Sequence, residues 1–189
     1  MTETVSSLRY LWEMLRSPQR TGSVAQSGPA LARAMAEAVD VRRPGMVIEL
    51  GPGPGAITQA LLDRGVHPSR LLLIEANPTF IQHLRRRFPM IDVVEGDAWR
   101  VREIFLDRTG ERACSSIVSG LPLLNFPTER RYELLATVLR LVSRSDGAFV
   151  QFSYGFQAPM AASPRVRVNR SRWILRNIPP ARVWTYRNG

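Results

Sequence analysis

An acid, a glycine-rich turn and a second acid twenty residues on are the parts of this chain that could do chemistry. The stretch Glu49-Leu50-Gly51-Pro52-Gly53-Pro54-Gly55 follows the apolar run Met46-Val47-Ile48 and precedes Ala56-Ile57-Thr58-Gln59-Ala60-Leu61-Leu62. A strand, a glycine turn and a helix in that order let backbone approach a nucleotide-like ligand closely. Gly51, Gly53 and Gly55 have no Cβ to hold a ligand away, and Pro52 and Pro54 stiffen the turn. In dinucleotide enzymes such a turn offers a helix N-terminus to pyrophosphate. Here Glu49 places an anion at the strand end, which repels phosphate and suits a cation. The ligand that fits carries an amino-acid ammonium group, a sulfonium and a ribose: S-adenosylmethionine.

The downstream spacing agrees. Leu71-Leu72-Leu73-Ile74 reads as a second buried strand ending in Glu75, whose carboxylate can accept both ribose hydroxyls. A third strand, residues 91–95, ends in Gly96-Asp97-Ala98. Asp97 is placed either to accept from the adenine amine or to cap the helix that follows. Ala76 and Ala98, directly after these acids, and Ser119, at the end of a fourth strand, complete the expected cofactor contacts.

The elements that must position these residues alternate strictly. The pattern predicts strands at 46–50, 71–75, 91–95, 115–119 and 147–152, and helices at 56–64, 78–87, 99–105 and 128–143. A preceding helix runs from Pro29 to about Asp40, where proline suits the first turn. Such alternation implies parallel strands with right-handed crossovers. Arg170–Leu175 and Arg182–Tyr186 read as two final strands, and Ser153–Pro164 as an irregular lid or substrate loop. Residues 1–20 hold a candidate amphipathic helix, with Val5, Leu8, Leu11, Trp12 and Leu15 on one side and Arg9, Arg16 and Arg20 flanking. Two roles stay open for it: lying in a membrane interface, or capping its own domain over the active site. Residues 21–189 form the main domain.

These motifs resemble those of class I S-adenosylmethionine-dependent methyltransferases. More narrowly, V-I-E-L-G-P-G-P-G, L-L-L-I-E-A-N-P, the G-D-A step, S-G-L-P-L-L-N-F at Ser119–Phe126 and N-I-P-P-A-R-V-W near the C-terminus resemble bacterial phospholipid N-methyltransferases. The resemblance implies a Rossmann-like α/β fold: a seven-stranded, mostly parallel sheet with helices on both faces. It also implies methylation of phosphatidylethanolamine towards phosphatidylcholine.

Composition sets bounds. A chain of 189 residues is long enough for one full core. The expectation is a monomer in the cytoplasm, held peripherally at the inner face of the cell membrane without a transmembrane segment or signal peptide. One cysteine and two scattered histidines cannot build a zinc site, so no metal is expected. All 26 basic residues are arginine. No acid follows Asp146, and seven arginines lie between Arg165 and Gly189. That segment should seek an anionic surface, for which lipid headgroups and nucleic acid are both candidates.

The loop after strand four should face the transferred methyl. Enzymes that methylate adenine amines carry Asn-Pro-Pro-Tyr or Asn-Leu-Pro-Tyr there. Gly120 and Leu123 occupy the positions of the gripping asparagine and the stacking ring. This argues against a flipped base, as does the lack of a helical RNA-binding domain after the last strand, and for a small amine near an apolar surface. Gly120, Leu121, Pro122 and Asn125 are the expected substrate contacts, with Asn125 equally suited to a plain turn. Leu121, Leu123, Leu124 and Phe126 are expected to meet acyl chains, and Arg165 and Arg170 the lipid phosphate. Tyr154 and then Tyr10 are the candidates for contacting the amine. The rival reading is an rRNA adenine N-methyltransferase, which shares the glycine motif and basic charge.

Overall fold

Four strands bury every residue: β1 (Met46–Leu50), β2 (Leu71–Glu75), β4 (Cys114–Ser119) and β5 (Ala148–Ser153). Continuous burial is what parallel strands covered on both faces require. With β3 (Asp92–Glu95), β6 (Val166–Arg170) and β7 (Arg182–Asn188) they form one seven-stranded sheet of order β3-β2-β1-β4-β5-β7-β6. The first five strands are parallel, and β7 runs antiparallel to both β5 and β6. The computed structural model describes residues 28–110, 112–154 and 156–189.

Helices α1 (Pro29–Glu37), α2 (Ala56–Asp63) and α3 (Pro78–Arg87) cover one face through Leu31, Met35, Leu61 and Leu84. Helices α4 (Val101–Thr109) and α5 (Thr128–Val142) cover the other through Val101, Phe105, Leu134 and Val138. The expected fold class is therefore the observed one. α3 shows why boundaries were readable: Asn77 accepts from the Thr79 N–H at 2.9 Å, Pro78 opens the helix, and Arg85–Arg87 close it against the dipole. α1 ends at Glu37, three residues short of the expected Asp40. The helix expected at 99–105 is a 3₁₀ turn, Ala98–Arg100, followed by α4.

The expected strand 170–175 is corrected to β6, Val166–Arg170. Val-Arg-Val-Asn-Arg alternates, placing Val166 and Val168 on the core while Arg167, Asn169 and Arg170 are exposed. The apolar run Trp173-Ile174-Leu175 lies instead in the connection to β7, closed by a bridge between Ile174 and Ala181. The amphipathic helix expected within residues 1–20, including Tyr10, lies outside the described residues.

Strand direction decides what shares an edge. The carboxyl ends of β1 to β5 point one way. Because β7 starts with Arg182 opposite Ser153, the β6–β7 connection lies at that same edge. Arg165, before β6, lies at the opposite edge beside Gly189.

Candidate functional site

The site assembles where β1, β2 and β4 end. Gly51 N–H still bonds to Ile74 O at 2.9 Å, then the chain turns through Pro52 to Gly55, whose N–H closes on Pro52 O at 3.0 Å. Gly53 has φ +55°, and a Cβ added there would meet nothing within 4 Å. Open space beside a left-handed glycine is where a ligand can approach the backbone.

Two buried carboxyls stand on adjacent strands at this turn. Glu75 accepts the Gly53 N–H on Oε2 and the Ala76 and Asn77 N–H groups on Oε1, each at 2.9 Å. Burial raises its pKa, and the three backbone donors pull it back. Glu49 is fully buried. Its Oε2 accepts from the Thr58 hydroxyl at 2.7 Å, while its Oε1 has no partner. Burial, reinforced by the charge of Glu75 and opposed by Thr58, raises its pKa to about 8. A buried acceptor without a donor is costly. An ammonium group supplies donors and charge together, so these residues fit the amino-acid end of S-adenosylmethionine.

That fit has a measurable consequence. The folded chain keeps a proton on Glu49 where an ordinary carboxyl, at 4.5, has lost it. This group's contribution to stability therefore falls as pH rises from 4.5 to about 8, then levels off. A bound ammonium favours the carboxylate, so cofactor binding below pH 8 should release a proton and tighten as pH rises. Calorimetry at pH 6.5 in two buffers of different ionisation enthalpy should give different heats, and Glu49→Gln should abolish the difference. Equal heats for the unaltered protein would contradict the assignment.

The remaining expected residues divide. Ser119 is buried and its hydroxyl oxygen accepts the Leu121 N–H at 3.3 Å. Asp97 Oδ1 accepts from Trp99 N–H at 3.0 Å, so it caps the 3₁₀ turn that begins at Ala98. Gly120 packs against the glycine turn: its N–H bonds to Leu50 O at 2.8 Å, and a Cβ there would stand 2.5 Å from Gly51 O. Pro122 and Asn125 bound a short turn in which Asn125 is exposed and its N–H bonds to Pro122 O at 2.9 Å. Leu121, Leu123 and Phe126 are core residues, Phe126 in tilted contact with Trp99 at a centroid distance of 4.8 Å. The expectation that they meet acyl chains is thus corrected, and only Leu124 of that set is exposed. Arg170 ends β6 at the site's edge, whereas Arg165 is not brought there. Tyr154 follows β5, half-buried and edge-on to Phe152 at 5.1 Å; burial pushes its pKa up, so at neutral pH it is a protonated phenol.

Two residues emerge from the structure alone. Thr58, nine residues after Glu49, was the lone polar member of the buried face of α2 and could have been noticed on that ground. Gln151, buried on β5, donates to Leu121 O at 2.7 Å and so anchors the loop after β4. Nothing in its sequence context pointed to that.

No family model matches the chain. It is 35% identical over 148 residues to the ornithine lipid N-methyltransferase of Singulisphaera acidiphila, covering 76% of each protein. It is 32% identical over 141 residues to ribosomal RNA small subunit methyltransferase A of Acidobacterium capsulatum, covering 73% of this chain and 46% of that protein. Among solved structures, the 1,6-didemethyltoxoflavin-N1-methyltransferase of Burkholderia thailandensis superposes with a TM-score of 0.64 at 14% identity, covering 100% of this chain and 91% of that one. A TehB-like methyltransferase from Corynebacterium glutamicum gives 0.55 at 16% identity, covering 98% and 100%.

Proposed function

Since this chain belongs to the class I S-adenosylmethionine-dependent methyltransferases, we propose that its acceptor is the primary amine of a membrane lipid, with phosphatidylethanolamine as the substrate. The observation that carries the reading is the loop after β4. The backbone of Gly120 lies against Gly51 O with no room for a side chain, and Leu123 is turned into the core. Neither position can grip or stack on a flipped base. The lipid-modifying relative supports the same reading over a comparable length of chain.

Bound S-adenosylmethionine supplies an electrophilic sulfonium methyl. Glu49 would accept its ammonium, Glu75 its ribose hydroxyls, and the second oxygen of Asp97 its adenine amine. Ala76, Ala98 and Ser119 line the same end of the sheet. The protein's work on the acceptor is to position it, exclude water and favour its neutral form. With a reference pKa of about 10.4, deprotonating a primary ammonium at pH 7 costs about 4–5 kcal/mol. An apolar surround and a nearby positive charge both reduce that cost. Tyr154, held as a phenol, is a hydrogen-bonding partner for the amine rather than its base. Arg170 is the candidate for the lipid phosphate, a role its exposed, permanently charged guanidinium suits.

The test is transfer of labelled methyl to vesicles of phosphatidylethanolamine and phosphatidylglycerol, with ornithine lipid vesicles and structured RNA in parallel. Label in phosphatidylethanolamine is the expected result. Label in ornithine lipid alone would move the acceptor to the amine named by the relative, and label in RNA alone would overturn the lipid reading.

A further inference from the structure

Turns are ordinarily built from Gly, Asn, Asp, Ser and Pro, yet the connection between β6 and β7 carries Trp173, Ile174, Leu175 and Ile178. Leu175 and Ile178 are 72% and 88% exposed, and Phe156, on the loop after β5, is 80% exposed. Phe156 meets Trp173 edge-on with centroids 5.0 Å apart, and the Arg182 guanidinium lies 4.3 Å over the Trp173 ring. Arg172 and Arg176 are exposed on either side of Leu175 within the same turn.

These apolar side chains are held out by a fixed frame. Asn177 is buried, accepting the Gly28 N–H at 3.0 Å and donating to Pro179 O at 2.7 Å. Ile174 N–H bonds to Ala181 O at 2.9 Å. Arg182 pairs with Ser153, and Ser119 with Gln151, so the turn stands at the edge where β1 and β4 deliver the cofactor site.

We infer that the turn formed by residues 172–181, with Phe156, is the surface by which this protein docks on an anionic lipid bilayer. Leu175 and Ile178 enter the acyl region, the Phe156–Trp173 pair lies at headgroup depth, and Arg172 and Arg176 meet lipid phosphates. Aliphatic tips, interfacial aromatics and flanking arginines are satisfied together only where hydrocarbon and phosphate adjoin. RNA offers the phosphate without the hydrocarbon. The inference rests on the lipid reading of the same site and specifies which surface brings it to its substrate.

The experiment is flotation of the full chain with vesicles of equal parts phosphatidylglycerol and phosphatidylethanolamine. Leu175→Asp with Ile178→Asp should lower partitioning at least about tenfold. Arg172→Glu with Arg176→Glu should lower it about tenfold on these vesicles and little on phosphatidylcholine–phosphatidylethanolamine vesicles. Both variants should methylate a short-chain, dissolved phosphatidylethanolamine at the unaltered rate. Unchanged partitioning of both variants overturns the inference, as does an unaltered protein that methylates dissolved lipid but ignores vesicles; the lipid reading survives either result. Transfer to RNA with none to any lipid overturns that reading and the inference with it. An environment-sensitive dye on Ile178→Cys gives a second reading, because Cys114, the other thiol, is buried. Its emission should shift to the blue on anionic vesicles, and a dye that stays in water overturns the inference.

Discussion

Glu75→Ala should abolish cofactor binding, weakening it at least about a hundredfold, or about 2.7 kcal/mol at 1.36 per tenfold. The carboxylate has two tasks. It is the expected acceptor for the ribose, and it holds three backbone N–H groups from Gly53, Ala76 and Asn77. Its removal frees Gly53 from β2, leaving Gly51 N–H on Ile74 O as the turn's remaining bond to that strand, and takes the acceptor from those donors. The three donors are half-buried, so water can replace part of what is lost, and the cost per donor falls below the figure of about 1–3 kcal/mol for a fully buried one. A chain of this length should therefore also melt several degrees lower. Glu75→Gln keeps an acceptor oxygen and most of the shape, so it should fold better than it binds. Calorimetric titration decides the matter: affinity near that of the unaltered protein in Glu75→Ala would remove Glu75 from the cofactor site.

Gly120→Ala is expected to damage the protein at a different point. The new methyl would stand 2.5 Å from the Gly51 carbonyl oxygen, and the Gly120 N–H is already tied to Leu50 O. Backbone faces backbone, so no flexible side chain can yield. The loop after β4 and the glycine turn must move apart, at about 1–3 kcal/mol, and transfer should fall at least tenfold because both partners of the reaction are displaced. Gly53→Ala is the instructive contrast. Its Cβ meets nothing in the protein, so only the cost of φ +55° applies, about 1–2 kcal/mol. It should lose cofactor affinity out of proportion to stability, since the methyl enters the open space proposed above for the cofactor. Melting curves and initial rates on the two variants separate these outcomes. A Gly120→Ala protein that melts and turns over normally would show that the two loops do not meet as described.

The parts of this molecule written in local sequence were legible. β1, β2 and α3 begin and end where apolar runs, Asn77, Pro78 and Arg85–Arg87 say they should. Spacing places Glu49 and Glu75 on adjacent strands beside the glycine turn, because strand, turn and helix are short-range objects; their cofactor roles remain a proposal. What escaped depended on contacts across the sheet. Leu121, Leu123 and Phe126 read as a surface for acyl chains by local sequence, but all three are buried in the core cluster that α4 and α5 share on that face of the sheet. Trp173-Ile174-Leu175 outranked Val166 and Val168 as a strand on hydrophobicity, although only the valines alternate in step with β7. Arg165 is expected near the site yet lies at the opposite edge, because strand direction in the last third of the chain cannot be read from composition. Thr58 and Gln151 act through partners nine and thirty residues away.

The strand order β5-β7-β6 also sets an order of events on the ribosome. β7 is synthesised after β6 yet must slip between it and β5, so β5 waits with Phe149 and Phe152 on an open edge until residues 182–188 emerge. An edge left bare during synthesis invites the nearest strand to pair wrongly. The nearest is β6, and it carries Arg167 and Arg170, with Arg165 just before it. β7 carries two arginines of its own, so what makes β6 the poorer partner is apolar surface: Val166 and Val168 are only half-buried, whereas β7 brings Val183, Trp184 and Tyr186, all buried.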